Sequence, residues 1–290
     1  MVIDRWKEPW WDDYRQLLES LRDPGIPGTD RLNELLPCGA VSGGGRQLCF
    51  VRAANLPGLN YEKHIFETGE VSTREDSWHD LFKALVWCRL PKLKAAMNAL
   101  HYAHLDEEVA GRRGPQRDAL TLLDESGAVV VCRDRALLEA LGARDWQRAF
   151  VELRQRWTAD AHLLICGHAL LEKLRTPYKA ITAHALLIHI DWTSEHLRKA
   201  GPVSRLDETL AAQLQEGGCR SPADLSPLPL MGIFGWWPQG VQDAAFYADE
   251  AVFRPPPETF SPAPIRSVRP GFPSVSPDPG HMPPEPGSAQ

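Results

Sequence analysis

The chain has 290 residues, 43% of them hydrophobic and 24% charged, the composition of a globular protein that folds without covalent staples. Its net charge of −6 and pI near 5.9 exclude a nucleic-acid-binding face spread over the whole molecule, because neutralising phosphates requires clustered Lys and Arg in excess. No apolar run approaches the ~20 residues that span a bilayer, and the start is acidic and Trp-rich rather than basic and then apolar, so neither a membrane partner nor a leader is expected.

In chain order, Tyr14, Leu17, Leu18 and Leu21 share one helical face, predicting an opening helix over 11–22 that Pro24 and Gly25 stop. Gln47–Arg52 predicts a short strand, followed by a loop through Leu56-Pro57-Gly58. A helix begins near Trp78, with Ser77 as its cap and Asp80 as the capping-box partner; Leu81, Phe82, Leu85, Val86 and Leu90 repeat at helical spacing. Pro91 ends that helix and suits the first turn of another, reaching about His104. Two apolar runs, Ala119–Leu123 and Ala128–Cys132, flank Asp124-Glu125-Ser126-Gly127 and predict a β-hairpin. Helices follow over 135–141 and 145–157, then a strand over 161–165, a turn at Gly167 and a helix over 168–174. Ala183–Ile190 is apolar throughout, so periodicity does not separate strand from buried helix; helix is the expectation. An amphipathic helix over 204–215 closes at Gly217-Gly218.

From Pro255 to Gln290 twelve of 36 residues are proline, and the few large apolar side chains cannot offset the ordering entropy, so a disordered tail is expected. The predicted fold is α/β or α+β, mainly helical, with a small sheet that includes the hairpin at 119–132. It divides into an N-terminal helix and loop (1–46), a main domain (47–254) and the tail (255–290). The six cysteines, Cys38, Cys49, Cys88, Cys132, Cys166 and Cys219, form no C-x-x-C pair and read as thiols of a reducing cytoplasm.

Between Leu56 and Pro256 the chain resembles the bacterial family DUF3025. The resemblance rests on YEKHIFETGEVSTRE (61–75), WHDLFKALVW (78–87), RRGPQRDALTLLDESGAVVV (112–131), GHALLEKL (167–174) and LPLMGIFGWWPQ through FYADEAVFRP (228–255). It implies a cytosolic bacterial protein and carries no activity. Ser72 stands where the family usually has proline, Lys83 where it has asparagine and Cys88 where it has leucine. Lys83 lies one helical turn after His79, which puts in question any site that uses an amide there.

Three constellations have chemical content. His64, His79 and Asp80, with Asp118 or Asp124 as a later acid, are similar to the ligands of phosphohydrolases named for a His-Asp doublet, in which divalent ions activate water and stabilise phosphoryl oxygens. The short spacing from His64 to His79, the predicted strand between Asp118 and Asp124, and the capping role of Asp80 favour a structural reading instead. Arg112, Arg113 and Arg117 beside Asp118, with Arg74 and Glu75, have the guanidinium forks that grip phosphate or carboxylate; the bland reading is surface ion pairs worth about 0–1 kcal/mol. His168 and Glu172, at i and i+4, suit a dyad or two metal ligands, joined by His184, against the blander reading of a buried histidine held by its acid.

A nucleophile elbow, a P-loop and a Rossmann fingerprint are absent. Cys166 lies in an apolar strand that raises rather than lowers its pKa. The aromatic segment Gly232–Trp237 reads as a loop packed over the core.

The leading expectation is an enzyme, a hydrolase, acting on a small anionic or phosphorylated substrate. Arg112, Arg113 and Arg117 hold the anion, His79, Asp80 and Asp118 supply acid/base chemistry, and a divalent metal is the candidate cofactor, held by His64, His79 and Asp80. The competing expectation is a non-catalytic binding or scaffold protein in which these polar residues are caps and ion pairs.

Overall fold

The computed structural model describes residues 6–21, 25–53, 60–105, 114–191 and 205–268. Helix α1 (Arg15–Ser20) follows a 3-10 turn at Pro9–Trp11, and α2 (Thr29–Leu35) precedes β1 (Cys49–Arg52). Next come α3 (Tyr61–Thr68), β2 (Glu70–Thr73), α4 (Trp78–Arg89), α5 (Pro91–Ala103) and α6 (Pro115–Ser126). The second half runs β3 (Gly127–Cys132), α7 (Arg135–Gly142), α8 (Arg154–Ala159), β4 (Ala161–Ile165), α9 (His168–Lys173) and β5 (Thr182–Ile190). It ends with α10 (Arg205–Gln215), β6 (Ser226–Pro229), α11 (Ala244–Tyr247) and β7 (Ile265–Val268). The structure is therefore mainly helical with small sheets, and no helix among the described residues is long and apolar enough to cross a membrane.

The larger sheet runs β4-β3-β5, with β6 and β7 both on the free edge of β5. β3 pairs parallel with β5 and antiparallel with β4. β6 takes the first half of β5 and β7 the second. All six residues of β3 are buried, which explains a run of unbroken apolar character: a strand covered on both faces has no polar side to alternate with. The same burial accounts for β5. The expected helix at 183–190 is a central strand, because three ladders, to β3, β6 and β7, take up its backbone groups and both faces meet the core.

The expected hairpin is also absent. Residues 115–126 form α6, started by Pro115 in the first turn with Ala119, Leu120 and Leu123 buried, and the chain enters β3 at Gly127 without a loop. The Asp-Glu-Ser-Gly segment has turn composition, but tertiary packing of the apolar stripe prevails. Two smaller differences lie at 145–157, where a π-helical turn at Arg148–Glu152 interrupts the helix, and at 255–268, where Ile265–Val268 adds a parallel strand to β5 rather than a disordered tail. Residues 269–290 lie outside the described residues.

The N-terminal elements share the core of the main domain. Trp10, Trp11 and Tyr14 are buried in it, and the Tyr14 hydroxyl donates to the Ile165 carbonyl at 2.6 Å. Two glycines join the helices that carry the polar cluster. A Cβ on Gly167 would stand 2.3 Å from the Gly127 nitrogen, and the Gly167 N–H donates to the Gly127 carbonyl at 2.9 Å. Only a residue without a side chain at 167 allows that approach, which brings the end of α6 against the start of α9.

Candidate metal centre

Helix α4 starts as its sequence directs: the Ser77 hydroxyl accepts the Asp80 N–H at 3.2 Å. Asp80 does not return the bond to Ser77. Its buried carboxylate instead accepts from the Arg74 backbone N–H at 2.7 Å and from the guanidinium at 2.9 and 3.1 Å. Burial works to raise the Asp80 pKa, but the bonds from Arg74 and the nearby Lys83 ammonium outweigh it and hold the carboxyl at about 2. Lys83 also donates to the Ser72 carbonyl at 3.0 Å. Asp80 thus anchors β2 and its exit to α4.

His79, one residue earlier, faces the junction of α6 and α9. Its Nε2 lies 3.0 Å from Nε2 of His168, with the rings edge to face and centroids 4.4 Å apart. Glu125 at the end of α6 places Oε2 3.6 Å from the same His168 Nε2. The three residues present one ligand atom each, all within 4.8 Å of one another. Tetrahedral coordination with bonds near 2.0–2.1 Å puts neighbouring ligand atoms about 3.3 Å apart, and the observed 3.0 and 3.6 Å bracket that edge.

Carboxylates stand behind both rings. His79 Nδ1 lies 3.3 Å from Glu172 Oε2 on α9. His168 Nδ1 faces Asp124 Oδ2 at 3.8 Å, beyond hydrogen-bond reach, and has no hydrogen-bond partner among the described residues. Asp124 is itself paired with Lys94, whose ammonium lies 5.2 Å from the Trp87 ring centre. Burial pushes the Asp124 pKa up, but Lys94 and His168 pull it below its ordinary value, so the carboxylate stays charged. Burial lowers the His168 pKa against the opposing pull of Asp124, so this ring is neutral at pH 7. The site is closed around His168 and half-open elsewhere: His168 is 4% exposed, His79 32%, Glu172 37% and Glu125 45%.

The arrangement draws members from two constellations that are separate in the sequence. His79 and Asp124 come from the first, His168 and Glu172 from the third, and Glu172 serves His79 across the interface rather than the histidine on its own helix. His64 is elsewhere, 3.1 Å from Glu70, and Asp80 is engaged by Arg74, so neither joins His79 at a common point. Asp118 is exposed on α6 while Arg117 beside it is buried; Arg112 and Arg113 lie outside the described residues. His184 stands on β5 in register with Gly127, and its ligand atoms are not among the three that converge. Glu75 pairs with Arg52. Glu125 escapes the sequence reading because a hairpin makes it a turn residue; the helix signal of Pro115 followed by Ala119, Leu120 and Leu123 places it instead in the last turn of α6.

Fold and side chains together define a mixed α/β protein with a half-open constellation of two histidines and one carboxylate, each imidazole backed by an acid. The chain belongs to the family described as "Protein of unknown function (DUF3025)", whose model matches residues 48–256. No curated protein and no solved structure gives a match.

Proposed function

We propose that this protein binds one divalent metal ion through His79 Nε2, His168 Nε2 and the Glu125 carboxylate, and that it is a metal-dependent hydrolase of a small anionic substrate. The supporting observation is the proton arrangement. A neutral imidazole carries one N–H and one lone pair. Without an ion and with both rings neutral, His79 donating from Nδ1 to Glu172 accepts at Nε2 from His168, which leaves a lone pair on His168 Nδ1 facing the Asp124 carboxylate. With a cation between the two Nε2 atoms, both rings carry their proton on Nδ1, and each N–H faces an acid. That is the carboxylate–histidine–metal geometry that fixes tautomer and ring orientation.

Two imidazoles and a carboxylate with open positions suit Zn²⁺ or Fe²⁺. A metal held there supplies Lewis acidity and brings water into its nucleophilic form near neutral pH. The chain's own residues do the rest. Glu172 and Asp124 orient the ligands, and Lys94 keeps Asp124 ionised. Arg74, close enough to Glu172 to feel its charge, and Arg175 on the same helix end supply positive potential for an anionic substrate.

The test is elemental analysis of the purified protein and calorimetric titration of the chelator-stripped form with Zn²⁺ and Fe²⁺, alongside His79→Ala. One ion per chain in the wild type and at least a hundredfold weaker binding in the variant are expected. A wild type that takes up neither ion would overturn the metal reading and favour a scaffold in which the 3.0 Å contact is an imidazole–imidazole hydrogen bond.

A further inference from the structure

The loop between β6 and α11 exposes apolar side chains that its own packing holds outward. Among the described residues four large hydrophobic side chains are exposed. Val41 lies elsewhere, opposite Gln47, but Phe234 at 57%, Val241 at 80% and Tyr178 at 50% fall on this loop or beside it. The Gln239 side chain donates to the Pro177 carbonyl at 3.4 Å and so ties the loop to the segment that carries Tyr178. Single exposed apolar residues are ordinary, whereas clustered ones mark an interaction site.

The loop is fixed from inside. The buried Gln242 amide donates to the Met231 and Ile233 carbonyls, both at 2.8 Å, and its side-chain oxygen accepts the Gly235 N–H at 2.7 Å. Gly235 turns the chain at φ 82°, a conformation that favours glycine. Trp236 and Trp237 take the core side, 5.8 Å from the Trp10 ring and 6.1 Å from the Phe246 ring. With both indoles as anchors, Phe234 and Val241 stay at the surface. The Arg154 guanidinium lies 4.3 Å from the Phe234 ring centre. Its Nε donates to the Phe150 carbonyl at 3.3 Å, and it has no carboxylate partner among the described residues, so the apolar face carries a cation at its edge.

The sequence supplies an occupant. The described residues end at Val268, and 269–290 follow. Within them Pro277–Pro286 has five prolines in ten residues, with Asp278 and Glu285 and no Lys or Arg. Proline-rich segments dock on aromatic surfaces as polyproline II, which costs little ordering entropy, and the two acids complement Arg154. The reach also fits. Val268 pairs with Ile190 at one end of β5, and Pro229 pairs with Thr182 at the other, about 26 Å apart at ~3.3 Å per residue. Residues 269–276 cover about 25 Å at the polyproline rise of ~3.1 Å, enough to return along β5 and bring Pro277–Pro286 to the loop.

We infer that the face formed by Phe234, Val241 and Tyr178 is the docking surface for this chain's own segment Pro277–Pro286, laid across it as polyproline II with its acids toward Arg154. The metal reading has no part in this inference.

Photo-cross-linking of the full chain carrying Met282→p-benzoylphenylalanine tests it, with the products mapped by mass spectrometry. Cross-links within one chain, to 232–242 or to Tyr178, are expected. Phe234→Ser and Val241→Ser should each cut their yield roughly fivefold, the effect of truncating one well-placed interface side chain, with the melting temperature unchanged. Val241, at 80% exposure, has little packing to lose, so its variant decides the matter even if Phe234→Ser disturbs the loop. Cross-links to another region, products that join two chains, or a yield indifferent to Val241→Ser would overturn the inference.

Discussion

Helix α4 carries a histidine–acid cluster at each end, built from the same residue types and arranged to opposite effect. At its C-terminal end, Arg89 donates to the Asp13 carbonyl at 3.1 Å and to the Asp13 carboxylate at 3.0 Å, while His162 approaches the other carboxylate oxygen at 3.2 Å. Arg89 there faces an anion, both partners are largely covered, and Arg89 also complements the helix dipole. At the N-terminal end the carboxylates stand behind the rings and the two imidazoles face each other. The first arrangement neutralises charge and braces the N-terminal segment against α4 and β4. The second aims like ligand atoms at one point, which a brace has no reason to do. Direction of approach, rather than residue type, separates the two.

Breaking the brace gives the largest effect. Asp13→Ala leaves Arg89 and His162 half-buried without their anion, which should cost about 3–5 kcal/mol of unfolding free energy, measured by urea denaturation, with metal stoichiometry unchanged. Loss of metal together with a small stability change would show that the two clusters do not have separate roles. The pH dependence comes from the same group. Burial raises the Asp13 pKa, but His162 and Arg89 bring it below its ordinary 3.8, so the unfolded chain binds the proton more tightly. The Asp13 contribution is then complete above that value and is lost as pH falls through it toward the folded pKa. Asp13→Asn should flatten the acid limb of the stability curve; an unchanged limb would mean that other carboxyls control it.

The next effect sharpens the other end. Glu172→Gln keeps the shape of the side chain and removes its charge behind His79. Metal affinity should fall about 10–100-fold, the usual penalty for losing an acid behind a ligand histidine, with the metal-free melting temperature little changed because Glu172 is 37% exposed. Calorimetric titration reads both variant and wild type. Equal affinities would mean that the 3.3 Å contact does not hold the ring for a metal.

How much of this is legible in the sequence depends on how local the cause is. The start of α4, with Ser77 before an apolar helical stripe, is a local signal, and the structure agrees with it. So it does for β4 and α9, where a short apolar run meets a glycine turn. β5 is not legible, because its assignment depends on strands 127–132, 226–229 and 265–268 that pair with it, and nothing in Ala183–Ile190 itself encodes them. The end of α6 misleads because Asp124-Glu125-Ser126-Gly127 satisfies turn chemistry, and that one error hides Glu125. His79 and His168 each stand out in the sequence, but in different constellations. Their meeting across 89 residues of sequence depends on the Gly127–Gly167 contact, a long-range fact that spacing cannot carry.

The smallest effect links the local signal to the site. Ser77→Ala removes the acceptor for the Asp80 N–H and should cost about 1 kcal/mol of stability. His79 sits in the turn that this cap holds, so fraying there spreads the His79 ring over more positions, and metal affinity should fall a few-fold in calorimetric titration. Asn at position 77 caps as well as serine and should restore both quantities. Restored stability without restored affinity would show that Ser77 acts on the site by some route other than the helix end, whereas an affinity indifferent to both substitutions would mean that Glu172 alone orients His79.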